Sequence, residues 1–365
     1  MATIGIDTRA LFQPATGIGQ YVRGFVSALP RTHSYRLWGA PVPGTRFDRT
    51  GFGGKKRFLA EAAWERGWPR PKLEAVAPPA DLWHFPNYVA PPTAKPFVLT
   101  VCDLAYLKYP EYVQPRHLKF LRRHVPASIE RAERVIAISE STKQGILEAF
   151  GLPEEKVTVT HLAAAPRFAK PVTAAARARA RKKHRLPERY LLAVGTLEPR
   201  KNLKALLETF AKLDGAPDLV VVGGQGWLFD ETEAALRKLH LSDRVRFTGY
   251  VPDADLPAIY AEADVFIFPS HYEGFGIPVL EAMNVGTPVL CSDSSSLPEV
   301  GGSAARYFDP ADPNALRSSL ETLLGDSKLR RKLAAAGKAQ ARRFSWKRTA
   351  AETAAVYDAI LESST

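Results

Sequence analysis

The sequence predicts an α/β protein of two doubly wound parallel sheets. Three observations carry this. Short β-branched or aromatic runs alternate with stretches of helical periodicity, as in parallel βα units. The alternation fills the chain twice, with six such runs in each half. And 365 residues exceed what one hydrophobic core ordinarily supports.

In the first half the predicted strands are Ile4–Asp7, Tyr35–Trp38, Leu82–Phe85, Phe97–Val101, Arg134–Ile138 and Val157–Thr160. In the second they are Tyr190–Val194, Leu219–Val222, Val245–Thr248, Val265–Phe268, Pro288–Cys291 and Ala305–Phe308. The predicted domains are 1–168 and 190–344. Between them 169–189 reads as a solvated linker helix, because Ala174 to Lys183 has no apolar stripe. From Ser345 to the end, Trp346, Ala354, Val356 and Ile360 recur at near-helical spacing, which predicts a helix that docks back on the first domain.

Composition narrows the setting. Two cysteines, Cys102 and Cys291, give neither a disulfide framework nor a cysteine zinc site and suit a reducing compartment. The start of the chain reads as a first strand rather than a secretory signal, and every apolar run falls short of the roughly 20 residues that span a bilayer. A cytoplasmic protein is the expectation. Of the net charge of +12, most lies in residues 1–168, with 23 Lys and Arg against 14 Asp and Glu; the rest of the chain has 27 against 24. Nucleic acid, acidic lipid and phosphorylated substrates all suit that asymmetry.

Ligands of open α/β sheets sit at the carboxyl ends of strands. After the strand ending at Phe268 comes Pro269-Ser-His-Tyr-Glu-Gly-Phe-Gly-Ile-Pro-Val-Leu-Glu281, in which seven residues separate Glu273 from Glu281. Pro278 suits the first turn of a helix, so Glu273 is expected in the loop and Glu281 in the opening turn. Ionised carboxylates are strong acceptors for sugar hydroxyls, and Gly274 and Gly276 beside Phe275 allow close backbone approach. After the strand Tyr190–Val194, Gly195-Thr196-Leu-Glu-Pro-Arg200-Lys201 opens a helix, where amides, dipole and cations suit a diphosphate. Gly223-Gly-Gln-Gly226 is compatible with a similar role or with a plain turn. In the first half, Gly17-Ile-Gly19 precedes a helix, and His84 follows a strand, where it suits a ligand pocket or a structural position equally.

The Glu273 to Glu281 string resembles the paired-glutamate signature of family 4 retaining glycosyltransferases of the GT-B fold, in which two Rossmann-like domains face each other across a cleft. The resemblance extends over nearly the whole chain, and the form Glu198-Pro-Arg-Lys-Asn202 is similar to a mannosyltransferase-like subgroup. It implies transfer of a hexose, with mannose from GDP-mannose favoured, to a glycan or lipid-linked acceptor, as in cell-surface polysaccharide or glycolipid synthesis. Anomeric retention is implied, with neither cofactor nor obligatory metal. By the same resemblance Glu273 holds the transferred sugar and Glu281 the nucleotide ribose, while Lys201 and Arg200 hold the diphosphate. Gly17, Gly19, Gly195, Thr196 and Tyr250 join the donor site. Thr196 stands where the family commonly has Arg, and Arg200 is expected to replace that charge. Cys102 stands where the family has a histidine; Asp103 beside it is expected to position the acceptor, and His84 to line its pocket.

Two further readings concern surfaces. Residues 115–134 read as a helix with Arg116, Lys119, Arg122 and Arg123 opposite Leu118, Leu121 and Val125, suited to anionic lipid on the inner membrane face or simply to water. Lys55 to Arg57 with Phe52, Phe58, Trp64 and Trp68 forms a second basic-aromatic stretch. Asp253-Ala-Asp255 is expected to cap a helix rather than bind a metal. The rival functions are a nucleotide-sugar epimerase or glycan phosphorylase of the same architecture, and a basic nucleic-acid-binding protein. The last lacks a recognisable reading module, so no nucleic-acid partner is expected.

Overall fold

A computed structural model describes residues 1–12, 17–45, 47–49, 55–226 and 230–363. The chain forms two compact units, Met1–Ala163 with Ser345–Thr365, and Ala164–Phe344.

The first unit holds a parallel sheet of β1 (Thr3–Thr8), β2 (Ser34–Gly39), β3 (Asp48–Arg49), β4 (Leu82–Phe85), β5 (Phe97–Val101), β6 (Arg134–Ala137) and β7 (Val157–Val159) in the order β3-β2-β1-β4-β5-β6-β7. The reversal beside β1 makes it doubly wound. β4 and β5 are buried at every position, as strands covered on both faces must be. Around the sheet lie α1 (Gly17–Ala28), α2 (Lys55–Glu65), α3 (Ala105–Lys108), α4 (Pro115–Arg131) and α5 (Glu140–Phe150). Six of these strands were legible in the sequence. β3 was not, because two residues cannot show a period.

The second unit opens with α6 (Ala174–His184), followed by a parallel sheet of β8 (Tyr190–Val194), β9 (Asp218–Val222), β10 (Val245–Gly249), β11 (Val265–Phe268), β12 (Val289–Ser292) and β13 (Arg306–Phe308) in the order β10-β9-β8-β11-β12-β13. α7 (Leu203–Phe210), α8 (Asp230–Lys238), α9 (Leu256–Glu262), α10 (Ile277–Val285), α11 (Leu297–Gly301), α12 (Pro313–Gly325) and α13 (Ser327–Ala341) flank it. α12 and α13 begin at Asp312 and Asp326, whose carboxylates accept from the first-turn amides.

Two features of the chain path differ from expectation. The segment 169–189 is not a solvated linker, because α6 belongs to the second unit. It docks on α9 through charge rather than an apolar stripe: Arg177 and Arg181 both pair with Glu262, and Lys183 and His184 both reach Asp255 Oδ2, at 2.7 and 3.0 Å. Ala180, small enough for close approach, is its buried residue. Asp255 therefore spends its side chain on α6 and makes no cap bond to α9, where a cap was expected. Asp253 pairs with Arg167 at 3.1 Å.

The last helix, α14 (Trp346–Ser363), packs within the first unit against α1. A Cβ on Gly24 would lie 2.3 Å from the Trp346 ring, so glycine lets the two helices approach. Among the described residues no helix is long and apolar enough to cross a membrane.

Candidate functional site

The site of the second unit grows from the carboxyl end of its sheet. β11, buried at every position between β8 and β12, delivers Pro269–Gly276 to that edge. The serine run after β12 clamps this loop. Ser292 and Ser294 donate to Ser270 O, Ser295 Oγ accepts from Glu273 N at 2.8 Å, and Ser296 Oγ donates to the carbonyls of Glu273 and Phe275 at 2.9 and 2.8 Å. Gly276 adopts φ +107°, and a Cβ there would meet Leu297 Cδ2 at 2.7 Å, so the turn into α10 requires glycine twice over. The glycine between, Gly274, is buried, as is Phe275, whose ring meets Phe344 edge-on.

Glu273 is buried and bound by both predicted cations. Lys201 Nζ lies 2.6 Å from Oε1 and Arg200 Nη1 3.0 Å from Oε2. Arg200 is fixed further by Glu198 at 2.6 Å and by the Tyr272 carbonyl at 2.6 Å, and Lys201 Nζ sits 5.0 Å from the Phe268 ring centroid. Burial pushes the Glu273 carboxyl upward, but Arg200 and Lys201 outweigh it and hold it down at about 2. The glutamate is thus ionised, and the two cations are held in place by its carboxylate.

Glu281 sits in a contrasting environment. It begins the second turn of α10 rather than lying in the first, and it is buried. Oε2 accepts from Tyr260 Oη at 2.9 Å, while Oε1 has no hydrogen-bond partner. Burial raises its carboxyl to about 7; the Tyr260 bond and Arg167 oppose the rise and Asp253 adds to it.

The turn after β8 reaches the same edge. Gly195 N donates to Val222 O at 2.9 Å, and a Cβ on Gly223 would fall 1.9 Å from Gly195 O. Gly223 is therefore a packing glycine that lets two βα turns touch. Gly195, Thr196, Lys201, Phe268 and Pro269 line a small hollow. Thr196 and Tyr250 are exposed, Tyr250 in the turn after β10.

The remaining predicted residues lie in the first unit. Gly17 and Gly19 begin α1; nothing lies within 4 Å of a Cβ added to Gly17, whereas Gly19 is buried. His84 does not line a pocket. It is fully buried, with Nδ1 2.7 Å from Tyr357 Oη and Nε2 2.8 Å from Thr100 Oγ1, and burial lowers it to about 3, so it is a neutral core imidazole joining β4, β5 and α14. Cys102 is buried as well, its Sγ 3.9 Å from the Pro86 carbonyl and its thiol pushed up by burial. Asp103 is half-buried, and Oδ1 accepts from Ala105 N at 3.0 Å at the start of α3.

Arg116, Lys119, Arg122 and Arg123 are all exposed on α4, while Leu121 and Val125 are buried and Leu118 is half-buried. The second basic-aromatic stretch divides. Trp64 is a core residue whose Nε1 donates to Pro71 O at 2.6 Å, Phe58 and Trp68 are exposed, and Phe52 lies outside the described residues. Sequence reasoning overlooked the clamping role of the Ser292–Ser296 run and the Arg167–Asp253 pair near Glu281. The density of serines was the available signal for the first. Nothing local announces the second.

Comparison with known proteins gives concordant matches. Residues 176–340 match the family described as Glycosyl transferases group 1, and residues 15–166 match Glycosyltransferase Family 4. The chain is 34% identical over 281 residues to O-antigen chain mannosyltransferase B of Escherichia coli, covering 76% of this chain and 74% of that protein. It is 34% identical over 245 residues to the serotype-specific mannosyltransferase WbdA of Escherichia coli, covering 65% of this chain but only 30% of that longer protein. Among solved structures, Anabaena HepE in complex with UDP and glucose superposes with a TM-score of 0.75 at 17% identity, over 98% of this chain and 100% of that one. Sucrose-phosphate synthase from Thermosynechococcus elongatus gives 0.71 at 20% identity, over the full length of both. These structural likenesses concern the fold, which is the two-domain GT-B architecture.

Proposed function

The chain belongs to the group 1, family 4 glycosyltransferases, and from that premise we propose that it moves mannose from GDP-mannose to a glycan or lipid-linked acceptor in polysaccharide synthesis. The observation that carries the reading is the pair of buried glutamates on one loop and helix, one ionised against Arg200 and Lys201, the other with an oxygen still unpartnered. Glu273 accepts hydroxyls of the transferred sugar. Glu281 Oε1 accepts a ribose hydroxyl. Mannose as the sugar rests on the mannosyltransferase relatives; GDP as the carrier rests on the resemblance to the mannosyltransferase-like subgroup.

In the proposed reaction the bond between the anomeric carbon and the diphosphate oxygen breaks, the acceptor oxygen forms the new bond on the same face, and the acceptor proton passes to the departing diphosphate. Lys201, Arg200 and the amide-rich turn after Gly195 stabilise the charge that develops on the leaving group. Glu273, neutralised by two cations, is a weak nucleophile, so no covalent glycosyl-enzyme is invoked. No metal is required in this scheme, and activity is expected to survive EDTA.

A screen of GDP-, UDP-, ADP- and dTDP-sugars by thermal shift, followed by NMR assignment of the product anomer, tests the proposal. Stabilisation by GDP-mannose and an α-linked product support it; stabilisation by another donor alone, or an inverted product, overturns it. The exposed cations of α4 are further proposed to rest on anionic lipid at the cytoplasmic face of the membrane. Salt-sensitive cosedimentation with anionic vesicles is the expected result, and none at low salt refutes it.

A further inference from the structure

Glu281 is held from α9 by Tyr260, a residue that no motif in the sequence marks. Tyr260 is fully buried, and its Oη donates to Glu281 Oε2 at 2.9 Å. Its ring meets Phe168 edge-on at 5.6 Å between centroids and Phe266 at a tilt at 5.2 Å. The main chain is pinned as well, since the Tyr260 carbonyl accepts from Thr287 Oγ1 at 2.6 Å, just past the end of α10. Ring and backbone together give the hydroxyl a fixed place relative to α10.

That bond makes the carboxyl asymmetric, because Oε1 is buried and has no hydrogen-bond partner. The last torsion of a glutamate is broad and nearly two-fold, so a carboxyl without partners exchanges its oxygens. Tyr260 removes that freedom by occupying Oε2. Burial, with the Glu281 charge adding to it, raises the phenol well above its ordinary range, so the hydroxyl keeps its proton and stays the donor. An ionised carboxylate oxygen offers about two lone-pair sites. The vicinal hydroxyls of a ribose offer two hydrogens, one for each.

We propose that Tyr260 is a positioning residue of the donor site: it fixes the Glu281 torsion and reserves Oε1 for both hydroxyls of the nucleotide's ribose. The role rests on the reading of Glu281 as the ribose acceptor and adds the residue that holds that acceptor in one orientation. Two donated hydroxyls favour the charged carboxylate, so nucleotide affinity rises with pH as the Glu281 carboxyl, raised to about 7 by burial, ionises. Tyr260 opposes that rise, as does Arg167 of the turn Pro166–Ala169, whereas Asp253, ahead of α9, adds to it. The other elements packed on α10 bring Lys338 of α13, beside Gly286 past its end, Glu299 of α11 and the buried thiol of Cys291 in β12.

The full chain is titrated by calorimetry with GDP and with UDP, each also as its 2′-deoxy and 3′-deoxy form. The parent is expected to lose about 10- to 100-fold in affinity when either hydroxyl is removed, the worth of a hydrogen bond to a charged group. That preference for ribose should shrink severalfold in Tyr260→Phe and in Glu281→Gln. With rising pH the parent's affinity should climb through the Glu281 titration, and Tyr260→Phe should carry the midpoint to higher pH, because it removes a bond that holds the carboxyl down. Glu281→Gln, which does not titrate, records the terminal phosphate's own titration. A merely structural loss would weaken ribose and deoxyribose forms alike and leave the midpoint in place. That result in Tyr260→Phe, with Glu281→Gln still erasing the preference, overturns the role of Tyr260 and leaves Glu281 on the ribose. A parent indifferent to both hydroxyls overturns the ribose reading and the role together, as does failure of both nucleotides to bind. Binding of UDP without GDP counts against the GDP reading alone. Should Tyr260→Phe fail to fold, the parent decides: dependence on both hydroxyls supports a diol on one oxygen, and dependence on a single hydroxyl overturns it.

Discussion

Two glutamates separated by seven residues in one segment are tuned in opposite directions, and the cause is what each finds when buried. Glu273 meets two cations and stays ionised; Glu281 is raised to about 7 by burial, which the Tyr260 hydroxyl only partly opposes. The linkage signs follow. The depressed Glu273 contributes stability that is present above its unfolded value and lost as pH falls toward 2. The raised Glu281 contributes stability that is present at acid pH and lost as pH rises to 7. Glu281→Gln should therefore flatten the decline in stability between about pH 4.5 and 7, measured by urea denaturation at stepped pH. Glu273→Gln should abolish transfer in a folded protein, because Arg200 and Lys201 lose their anchor together with the sugar contact. Lys201→Ala should raise the donor KM about 10- to 100-fold, the worth of a charge-assisted phosphate contact. The spacing of the glutamates was legible in the sequence. Their opposed protonation was not, since Arg167, Tyr260 and Asp253 come from other elements.

At the level of elements, the site is a set of βα turns pressed together at one sheet edge. Gly223 shows how tight the contact is: its φ of +152° and the 1.9 Å that would separate a Cβ from Gly195 O leave room for hydrogen alone. Gly223→Ala should destabilise the protein by about 2–4 kcal/mol, read from thermal unfolding, and weaken donor binding by moving the turn that carries Lys201. α6 teaches a different lesson. With no apolar stripe it reads as solvated, yet Arg177, Arg181, Lys183 and His184 dock it on Glu262 and Asp255. Periodicity finds helices that bury hydrocarbon and misses those that dock through charge. The Ser292–Ser296 run is similar, because hydroxyls clamping a neighbouring loop look in sequence like an ordinary turn.

Across the whole molecule, the chain returns to its beginning: α14 completes the first unit after the second has been built. His84 accounts for part of this closure, bridging Thr100 of the sheet and Tyr357 of the returning helix. Tyr357→Phe should leave a buried imidazole nitrogen unsatisfied and cost about 1–3 kcal/mol in denaturant unfolding, with catalysis unchanged in the surviving folded fraction. The sequence by itself determined the α/β class, twelve of the thirteen strands, the family and the glutamate and cation motifs, because each is written in local periodicity or in contiguous residues. Only the tertiary structure decided that Glu273 holds Arg200 and Lys201, that Glu281 is buried beside Tyr260, and that His84 belongs to the core. Those facts depend on side chains brought together from distant parts of the chain, and the burial and field that set their chemistry exist only once the sheets have assembled.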